Sequence, residues 1–407
     1  MSMIVSALVW LAVIGSVLTS VQALLVWRFT RGHRRPFARG LREQAPNASP
    51  RDASMPMPRV SILKPLCGLD DELGENLDSF TRIEGVDYEV ILSVEDPSDP
   101  ALKIARDVCA RHPGSPFRVV VGEGNAALRN GKINRLAAAA AYARGDILLV
   151  SDSNVRMEPG DLAATLRLFD DPDVGCVTNL FTGEGATNLS ARIESLHLLS
   201  FVVAGNVLAA AAGMPCVVGK SMALRRAVLE SIGGFEAFGH LLAEDQAIGL
   251  AVHESGYRVV LAPVVVRNVI RRRTLKRALG RQIRWNKIRY SFSRVLYAGE
   301  FLLNPLPLAL LAAAIGTVFE GTVPPGTMIR LLLLLPLLRI AQLELLSRST
   351  GAGLSAVDIL LVPVQDLLQF AAQFVPFVSR SVTWRGRKTR LGRGTEMIQV
   401  PPMYEAA

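Results

Sequence analysis

From Met3 to Trp27 the chain carries no charged residue, and this limits the possible folds more than any other feature. A helix needs about 20 apolar residues to cross a bilayer, so this run is expected to span one and the rest must fold beside a membrane. A cleaved signal peptide has positive charge before its apolar stretch and a small-residue cleavage site after it. Here the charge follows, at Arg28, Arg31, Arg34, Arg35, Arg39 and Arg42. The run therefore reads as an uncleaved anchor over residues 1–28. Its positive flank puts everything from Arg28 onward on the cytoplasmic side, the inner membrane in a bacterium.

Three more apolar runs lie near the C-terminus, roughly Phe301 to Phe319, Ile329 to Leu346 and Leu354 to Val378. The second holds Arg339 and Glu344; the third holds Asp358, Gln365, Asp366 and Gln369. Those polar residues either mark a path for a lipid substrate or pair with one another inside the bundle. Beyond them the tail is basic, with Arg380, Arg385, Arg387, Lys388, Arg390 and Arg393. An even number of C-terminal crossings keeps that tail cytoplasmic, with one run lying in the interface or re-entering.

The 407 residues have room for one large soluble domain plus these spans, and their formal charge of +9 is gathered in three clusters. Basic clusters beside apolar segments anchor to membrane surfaces, and no nucleic-acid recognition motif accompanies them. Cys67, Cys109, Cys176 and Cys216 are scattered, which fits a reducing compartment. Five histidines without HExxH spacing disfavour a zinc site, and the lack of a GxSxG elbow disfavours a serine hydrolase. His197 and Cys216 sit in apolar surroundings and read as core residues.

After a basic juxtamembrane segment and a Pro- and Ala-rich linker (29–58), strand and helix patterns alternate. Strands are expected at Val60 to Leu63, Tyr88 to Val94, Phe117 to Val121 and Asp146 to Val150. Helices are expected at Leu73 to Arg82, Ala101 to Arg111 and Lys132 to Arg144. This is the pattern of an α/β domain with a mostly parallel sheet, spanning 59–270. Ligands in such sheets bind beyond the carboxyl ends of the strands, where Asp96 and Asp152 both fall. Gly122-Glu123-Gly124-Asn125 lacks dinucleotide-binding spacing and reads as a turn, and there is no P-loop.

Asp152 follows a buried-type strand and precedes Ser153 and Asn154. A hard divalent cation on a diphosphate needs oxygen ligands, and one firm carboxylate can suffice; the plainer reading is a turn aspartate capping a helix near Pro159. Asp99 is the better cap for the helix at Ala101, which leaves Asp96 to face the crevice. Asp245, beside Glu244 ahead of an apolar helix near Ala247, is either a helix cap or a base that deprotonates a hydroxyl, with Glu244 competing for both roles. Leu275 to Arg289 alternates apolar and basic residues and fits a helix resting on lipid headgroups, within an interfacial region of 271–300. Arg284 on that helix can also bind a diphosphate with two parallel hydrogen bonds.

Taken together these residues resemble the ceramide glucosyltransferase family, membrane-bound inverting glycosyltransferases of the GT-A fold, a Rossmann-like nucleotide-diphospho-sugar transferase domain. The likeness rests on Lys64-Pro65-Leu66 with Gly68, Glu95-Asp96 with Asp99-Pro100, Lys132-Ile133-Asn134, Ser151-Asp152-Ser153, Glu244-Asp245, Arg281-x-x-Arg284-Trp285 and Trp384-Arg385. It implies transfer of a hexose, glucose from UDP-glucose, to the hydroxyl of ceramide, assisted by Mg2+ or Mn2+. It implies that Asp152 holds the metal-diphosphate, Asp96 the base or ribose and Lys132 the nucleotide, with Lys64, Pro65 and Asn134 in matched donor-binding motifs. It further implies that Asp245 is the general base, and that Arg281, Arg284 and Trp285 handle the leaving diphosphate and the acceptor's approach. Two departures stand out: Asn154 replaces the second aspartate of a DxD motif, and Leu196 to Ala212 is more uniformly apolar than the family pattern. Rival readings keep the chemistry but change the acceptor to a hopanoid or the sugar to galactose or N-acetylglucosamine. A processive polysaccharide synthase would need more spans, and a silent membrane scaffold would not need both aspartates. Three C-terminal helices (301–379) and the basic tail (380–407) complete the expected layout.

Overall fold

The computed structural model describes residues 2–34, 58–122, 125, 127–318, 325–384 and 387–399. Arg35, Arg39, Arg42, most of the expected linker, Glu123, Gly124, Arg385 and residues 400–407 lie outside the described residues. The chain divides into two compact units. One comprises Arg28–Thr187 and Gly205–Arg272; the other comprises Met1–Trp27, Asn188–Ala204 and Arg273–Ala407.

The first unit is built on an eight-stranded sheet: β1 (Val60–Leu66), β2 (Tyr88–Val94), β3 (Phe117–Val121), β4 (Ile147–Ser151), β5 (Val155–Arg156), β6 (Val174–Glu184), β7 (Ser221–Arg225) and β8 (Arg258–Val269). Their spatial order is β3-β2-β1-β4-β7-β6-β8-β5. The first four run parallel, β7 is antiparallel to both neighbours, β6 and β8 are parallel to each other, and β5 closes antiparallel. The sheet is thus mostly parallel, as the alternation of apolar strands and helices implies. The four strands expected from the sequence are present, while β6, β7 and β8 lie beyond what the pattern resolved.

Every residue of β1 is buried, because a central strand of such a sheet is covered on both faces. One face packs Ile133, Leu136 and Ala139 of the Gly131–Ala140 helix against Leu63, Ile91, Leu148 and Val150. Ile248 and Val252 of the Glu244–Glu254 helix join the same core. Truncating one of these buried leucines or isoleucines to alanine would cost about 2–5 kcal/mol. Asp99 caps the Pro100–Arg111 helix, accepting from the Ala101 N–H at 2.8 Å. Both of its oxygens also accept from the Gly68 N–H at 2.9 Å, and Gly68 has φ of +67°, a left-handed turn that favours glycine.

The second unit is mainly helical. The Ser2–Arg34 helix packs Ala12 against Leu308, Ala309 and Leu335, from the Pro305–Val318 and Pro325–Thr350 helices. The Leu275–Phe292 helix, capped by Thr274, carries the Arg-x-x-Arg-Trp segment. A three-stranded antiparallel sheet follows the Ala356–Ala372 and Val375–Val378 helices: β9 (Ser381–Trp384), β10 (Arg387–Leu391) and β11 (Met397–Gln399). Lys287 of the Leu275–Phe292 helix donates to the Ser381 carbonyl at the start of β9 at 2.5 Å.

Among the described residues, Met3–Arg31, Leu189–Ala211 and Ala356–Val378 are long and apolar enough to cross a membrane. A pair bent by 74°, Arg294–Leu303 with Pro305–Gly316, has the form of a broken or re-entrant span. This is a membrane protein. Two findings depart from the expected layout. The 59–270 stretch gives up Asn188–Ala204 to the helical unit, and Leu189–Ala211 joins the candidate spans. The Pro325–Thr350 helix, with Arg330, Arg339, Glu344 and Arg348, is not among them.

Candidate active site

β4 delivers Asp152 at its carboxyl end, where the chain turns into β5. The turn is held from below by Lys64 of β1, whose ammonium donates to the Asp152 carbonyl at 3.0 Å and to Ser151 Oγ at 3.2 Å. Lys64 is fully buried, lies 3.7 Å from the centre of the Phe80 ring, and has its pKa pulled well down by burial, only partly offset by Asp152. In this structure Lys64 braces the aspartate's backbone from within the core.

The Asp152 carboxylate is gripped from both sides. Lys132 Nζ lies 3.1 Å from Oδ1, and Lys220 Nζ lies 2.9 Å from Oδ2. Burial alone would raise this carboxyl's pKa, but the two ammonium groups override it and hold Asp152 below the usual carboxylate range. Lys220 also donates to Asn154 Oδ1 at 2.8 Å, so Asn154, in the second position of the would-be DxD, is a lysine acceptor.

Lys132 connects the two acidic motifs. It lies in the first turn of the Gly131–Ala140 helix, which Asn130 caps by accepting from the Lys132 N–H at 2.9 Å. Its ammonium lies 3.0 Å from Glu244 Oε1 and donates to the Gly219 carbonyl at 3.3 Å. Burial would lower its pKa, yet Asp152, Glu244 and Asp245 together raise it above the usual lysine value. Glu244 is itself buried and accepts from Asn130 Nδ2 at 3.1 Å. Its pKa is raised because burial and the neighbouring Asp245 outweigh Lys132.

Asp245 accepts from the Gly219 N–H at 2.6 Å and from the Gln246 N–H at 2.8 Å. The helix cap position belongs to Ala243, which provides no side-chain cap, so Asp245 lies within the first turn of the helix. Gly219 is needed there, because an added Cβ would stand 2.8 Å from Lys132 Nζ and 3.0 Å from Asp245 Cβ. Nor does Asp152 cap a helix near Pro159: that helix starts at Asp161, with Gly160 at the cap.

The remaining sequence-predicted residues have the following partners. Asp96 follows β2, at the same edge of the sheet as Asp152. It is exposed and accepts from the Ser98 N–H and Oγ at 2.8 and 2.7 Å, which hold its pKa low. Asn134 faces Glu95, which pairs with Arg135 at 3.0 Å. Pro65 is within β1, paired with Ser93 of β2. Arg281, Arg284 and Trp285 belong to the helical unit. There Arg281 pairs with buried Glu194 at 2.8 Å, and the Trp285 ring centre lies 6.1 Å from that of His197. His197 is buried as expected, also stacked on Phe201 at 5.6 Å; Cys216 is only half-buried, 3.3 Å from Asn206 Oδ1.

Sequence reading missed Lys220, Gly219 and Asn130. Lys220 precedes a short strand with no periodic signal, and its pairing with Asp152 exists only because β7 runs antiparallel to β4. Asp152 is the carboxylate placed at the strand end where a metal on a diphosphate would sit, while Glu244 and Asp245 are engaged by Asn130, Lys132 and backbone N–H groups. No group of three or more metal-binding side chains occurs among the described residues. The donor set fits a cation brought in largely by phosphate oxygens better than one caged by protein.

Lysines and carboxylates gathered beyond a strand end, in a chain with helices apolar enough to cross a membrane, suit a membrane glycosyltransferase. The profile of Glycosyl transferase family 21 matches residues 7–397, and the chain belongs to that family. Ceramide glucosyltransferase 1 of Caenorhabditis elegans is 27% identical over 263 residues, covering 63% of this chain and 55% of that one. Ceramide glucosyltransferase of Komagataella phaffii is 26% identical over 317 residues, covering 63% of this chain and 61% of that one. The chain thus spans between half and two thirds of the length of these relatives. A mannosyltransferase from Pyrobaculum calidifontis, solved with GDP-mannose and Mn2+, is 20% identical and covers 90% of this chain and 99% of its own, with a TM-score of 0.49. That likeness is too slight to carry a statement about chemistry.

Proposed function

We propose that this protein transfers glucose from UDP-glucose to the primary hydroxyl of ceramide with inversion at the anomeric carbon. The observation that carries the reading is the continuous charge network Lys220–Asp152–Lys132–Glu244, with Asp245 joined to it through Gly219. Family membership and the names of the curated relatives support the sugar and the acceptor.

In this mechanism Asp245 removes the proton of the acceptor hydroxyl. The oxygen then forms its bond to the anomeric carbon as the carbon–oxygen bond to the diphosphate breaks, and the electron pair leaves with UDP. Lys132 and Lys220, already seated beside Asp152, offset the charge that grows on the leaving diphosphate. Asp152 would hold Mg2+ or Mn2+ on the donor, and such an ion would supply charge neutralisation at the phosphate oxygens. Asp96, Pro65 and Asn134 would border the nucleoside end, with Lys64 as a positioning residue beneath Asp152. Arg281, Arg284 and Trp285 would contact the diphosphate and the incoming lipid. The sheet unit would work on the cytoplasmic side, as Arg28, Arg31 and Arg34 imply.

The test is a transfer assay on membranes containing the full chain, with labelled UDP-glucose, UDP-galactose and UDP-N-acetylglucosamine. Ceramide, diacylglycerol and a hopanoid are offered as acceptors, with and without chelator. Labelled ceramide from UDP-glucose is expected, reduced about 10²–10⁴-fold in Asp245→Asn. Asp245→Asn turnover within a few-fold of the unaltered protein removes Asp245 as base; label on another lipid corrects the acceptor.

A further inference from the structure

Gln246 stands directly after Asp245 in the first turn of the Glu244–Glu254 helix. Both ends of its side-chain amide are bonded to residues 215–218, a stretch with no regular secondary structure. Its Oε1 accepts from the Val217 N–H at 2.9 Å, and its Nε2 donates to the Pro215 carbonyl at 2.8 Å. Thr178 of β6, 1% exposed, holds the next residue. Its hydroxyl accepts from the Val218 N–H and donates to the Val218 carbonyl, each at 3.2 Å. Val217 is buried in one core with Ile248 and Val252, which lie on the same helix as Gln246. Buried backbone groups need partners, and here two side chains supply them in place of a strand ladder.

Gly219 comes next in the chain and donates its N–H to Asp245 Oδ2 at 2.6 Å, while the Gln246 N–H donates to Oδ1 at 2.8 Å. Both carboxylate oxygens therefore depend on Gln246, one through its backbone and the other through the loop its amide holds. Lys220, one residue further, is fixed by different means. Its carbonyl accepts from the Asp152 N–H at 3.3 Å, and Ser221 pairs with Ser151 where β7 joins β4. The two neighbours are thus anchored separately: Lys220 by the sheet, Gly219 by Gln246 and Thr178.

We propose that Gln246, acting with Thr178, is a positioning residue for Asp245: by clamping residues 215–218 it keeps the Gly219 N–H on one carboxylate oxygen and so fixes the carboxylate's orientation. The inference rests on the reading of Asp245 as the base. An N–H on each oxygen stops the carboxylate rotating about its Cβ–Cγ bond, and each oxygen keeps a lone pair for an incoming hydroxyl. Without the clamp Gly219 can withdraw and the carboxylate can turn away. The consequence is selective. Misplacing a reacting group by about 1 Å costs on the order of 10²-fold in rate, whereas Lys220 and Asp152 stay where the β4–β7 ladder puts them.

The experiment uses the full chain in nanodiscs, unaltered and as Gln246→Met, read by hydrogen–deuterium exchange and by steady-state transfer from UDP-glucose to ceramide. Gln246→Met should speed exchange at the Val217 and Gly219 amides about 10-fold or more and leave the amides of β4 unchanged. Its kcat should fall about 10- to 100-fold. The KM for UDP-glucose should stay within about 2-fold of the unaltered value, the pattern of a group that matters only in the transition state. In an Asp245→Asn background the same substitution should lower kcat by less than about 2-fold further, because residues that act as a unit are not additive. Where Gln246→Met cannot be recovered folded, Thr178→Val should give the same pattern and Thr178→Ser should restore it. Unchanged exchange in the loop, a KM that rises as much as kcat falls, or a full loss still added to Asp245→Asn overturns the inference. Asp245→Asn turnover near that of the unaltered protein removes the base, and this inference with it, whatever the exchange shows. A failed clamp beside an inactive Asp245→Asn overturns the inference alone.

Discussion

At the residue scale, Lys132 is the hinge of the electrostatics, since it neutralises carboxylates from two separate motifs. Lys132→Met would leave Asp152 with Lys220 alone and Glu244 buried without its cation. Removing one partner of a buried pair costs about 3–5 kcal/mol. The loss should depend on pH with a definite sign. Glu244 already has a raised pKa, mainly through burial, and burial would raise it further without Lys132. A buried carboxyl with a raised pKa is destabilising while ionised and is relieved as pH falls and it takes up a proton. Asp152, whose pKa is lowered, contributes stability above its unfolded pKa and loses it only at lower pH. The gap in melting temperature between Lys132→Met and the unaltered protein should therefore be widest near pH 8 and narrow toward pH 5. Thermal unfolding at both values checks it; a gap that widens on acidification would count against the network.

At the element scale, the joint between the Leu189–His197 and Leu275–Phe292 helices depends on one buried carboxylate. Glu194 is 1% exposed, with Arg281 at 2.8 Å and Arg273 at 3.6 Å. Arg289 adds a cation–π contact, 4.7 Å from the Phe201 ring, and pairs with Glu300 at 2.9 Å. Glu194→Gln removes the charge that both arginines face. It should lower the melting temperature in detergent and reduce turnover about 10-fold or more, because Arg281 would lose its orientation. Glu194→Asp should recover part of both. Melting curves and initial rates on the same samples decide it, and full activity in Glu194→Gln would show that Arg281 needs no such support.

At the scale of the whole molecule, the sheet unit contains all four cysteines, none of them in a disulfide. Cys67, Cys109 and Cys216 are half-buried, and Cys176 is fully buried. If this unit is cytoplasmic, a membrane-impermeant maleimide added to intact spheroplasts of an expressing bacterium should leave the protein unmodified. Lysis should then permit labelling of the half-buried thiols. Labelling before lysis would reverse the topology that Arg28, Arg31 and Arg34 imply.

The local part of this architecture was legible from sequence. Apolar runs of strand and helix length marked β1 to β4 and the helices between them, because periodic burial is a property of a dozen neighbouring residues. Asp99 announced itself as a cap for the same reason, and Asp152 as the end of a strand. The Arg-x-x-Arg-Trp segment lies on the helix its alternation indicated. What tertiary structure alone decided is which distant groups meet. Lys64 reaches Ser151 across 87 positions, and Asn130 reaches Glu244 across 114. Lys220 closes on Asp152 only once β7 pairs with β4. The membrane character of Leu189–Ala211 was hidden for a related reason. Arg192, Glu194 and His197 dilute its hydropathy, and the two charged ones are paired with residues more than 80 positions away, Asp358 for Arg192 and Arg281 for Glu194. Short-range patterns specify elements; the pairing of buried charges is a long-range property that appears only when those elements pack.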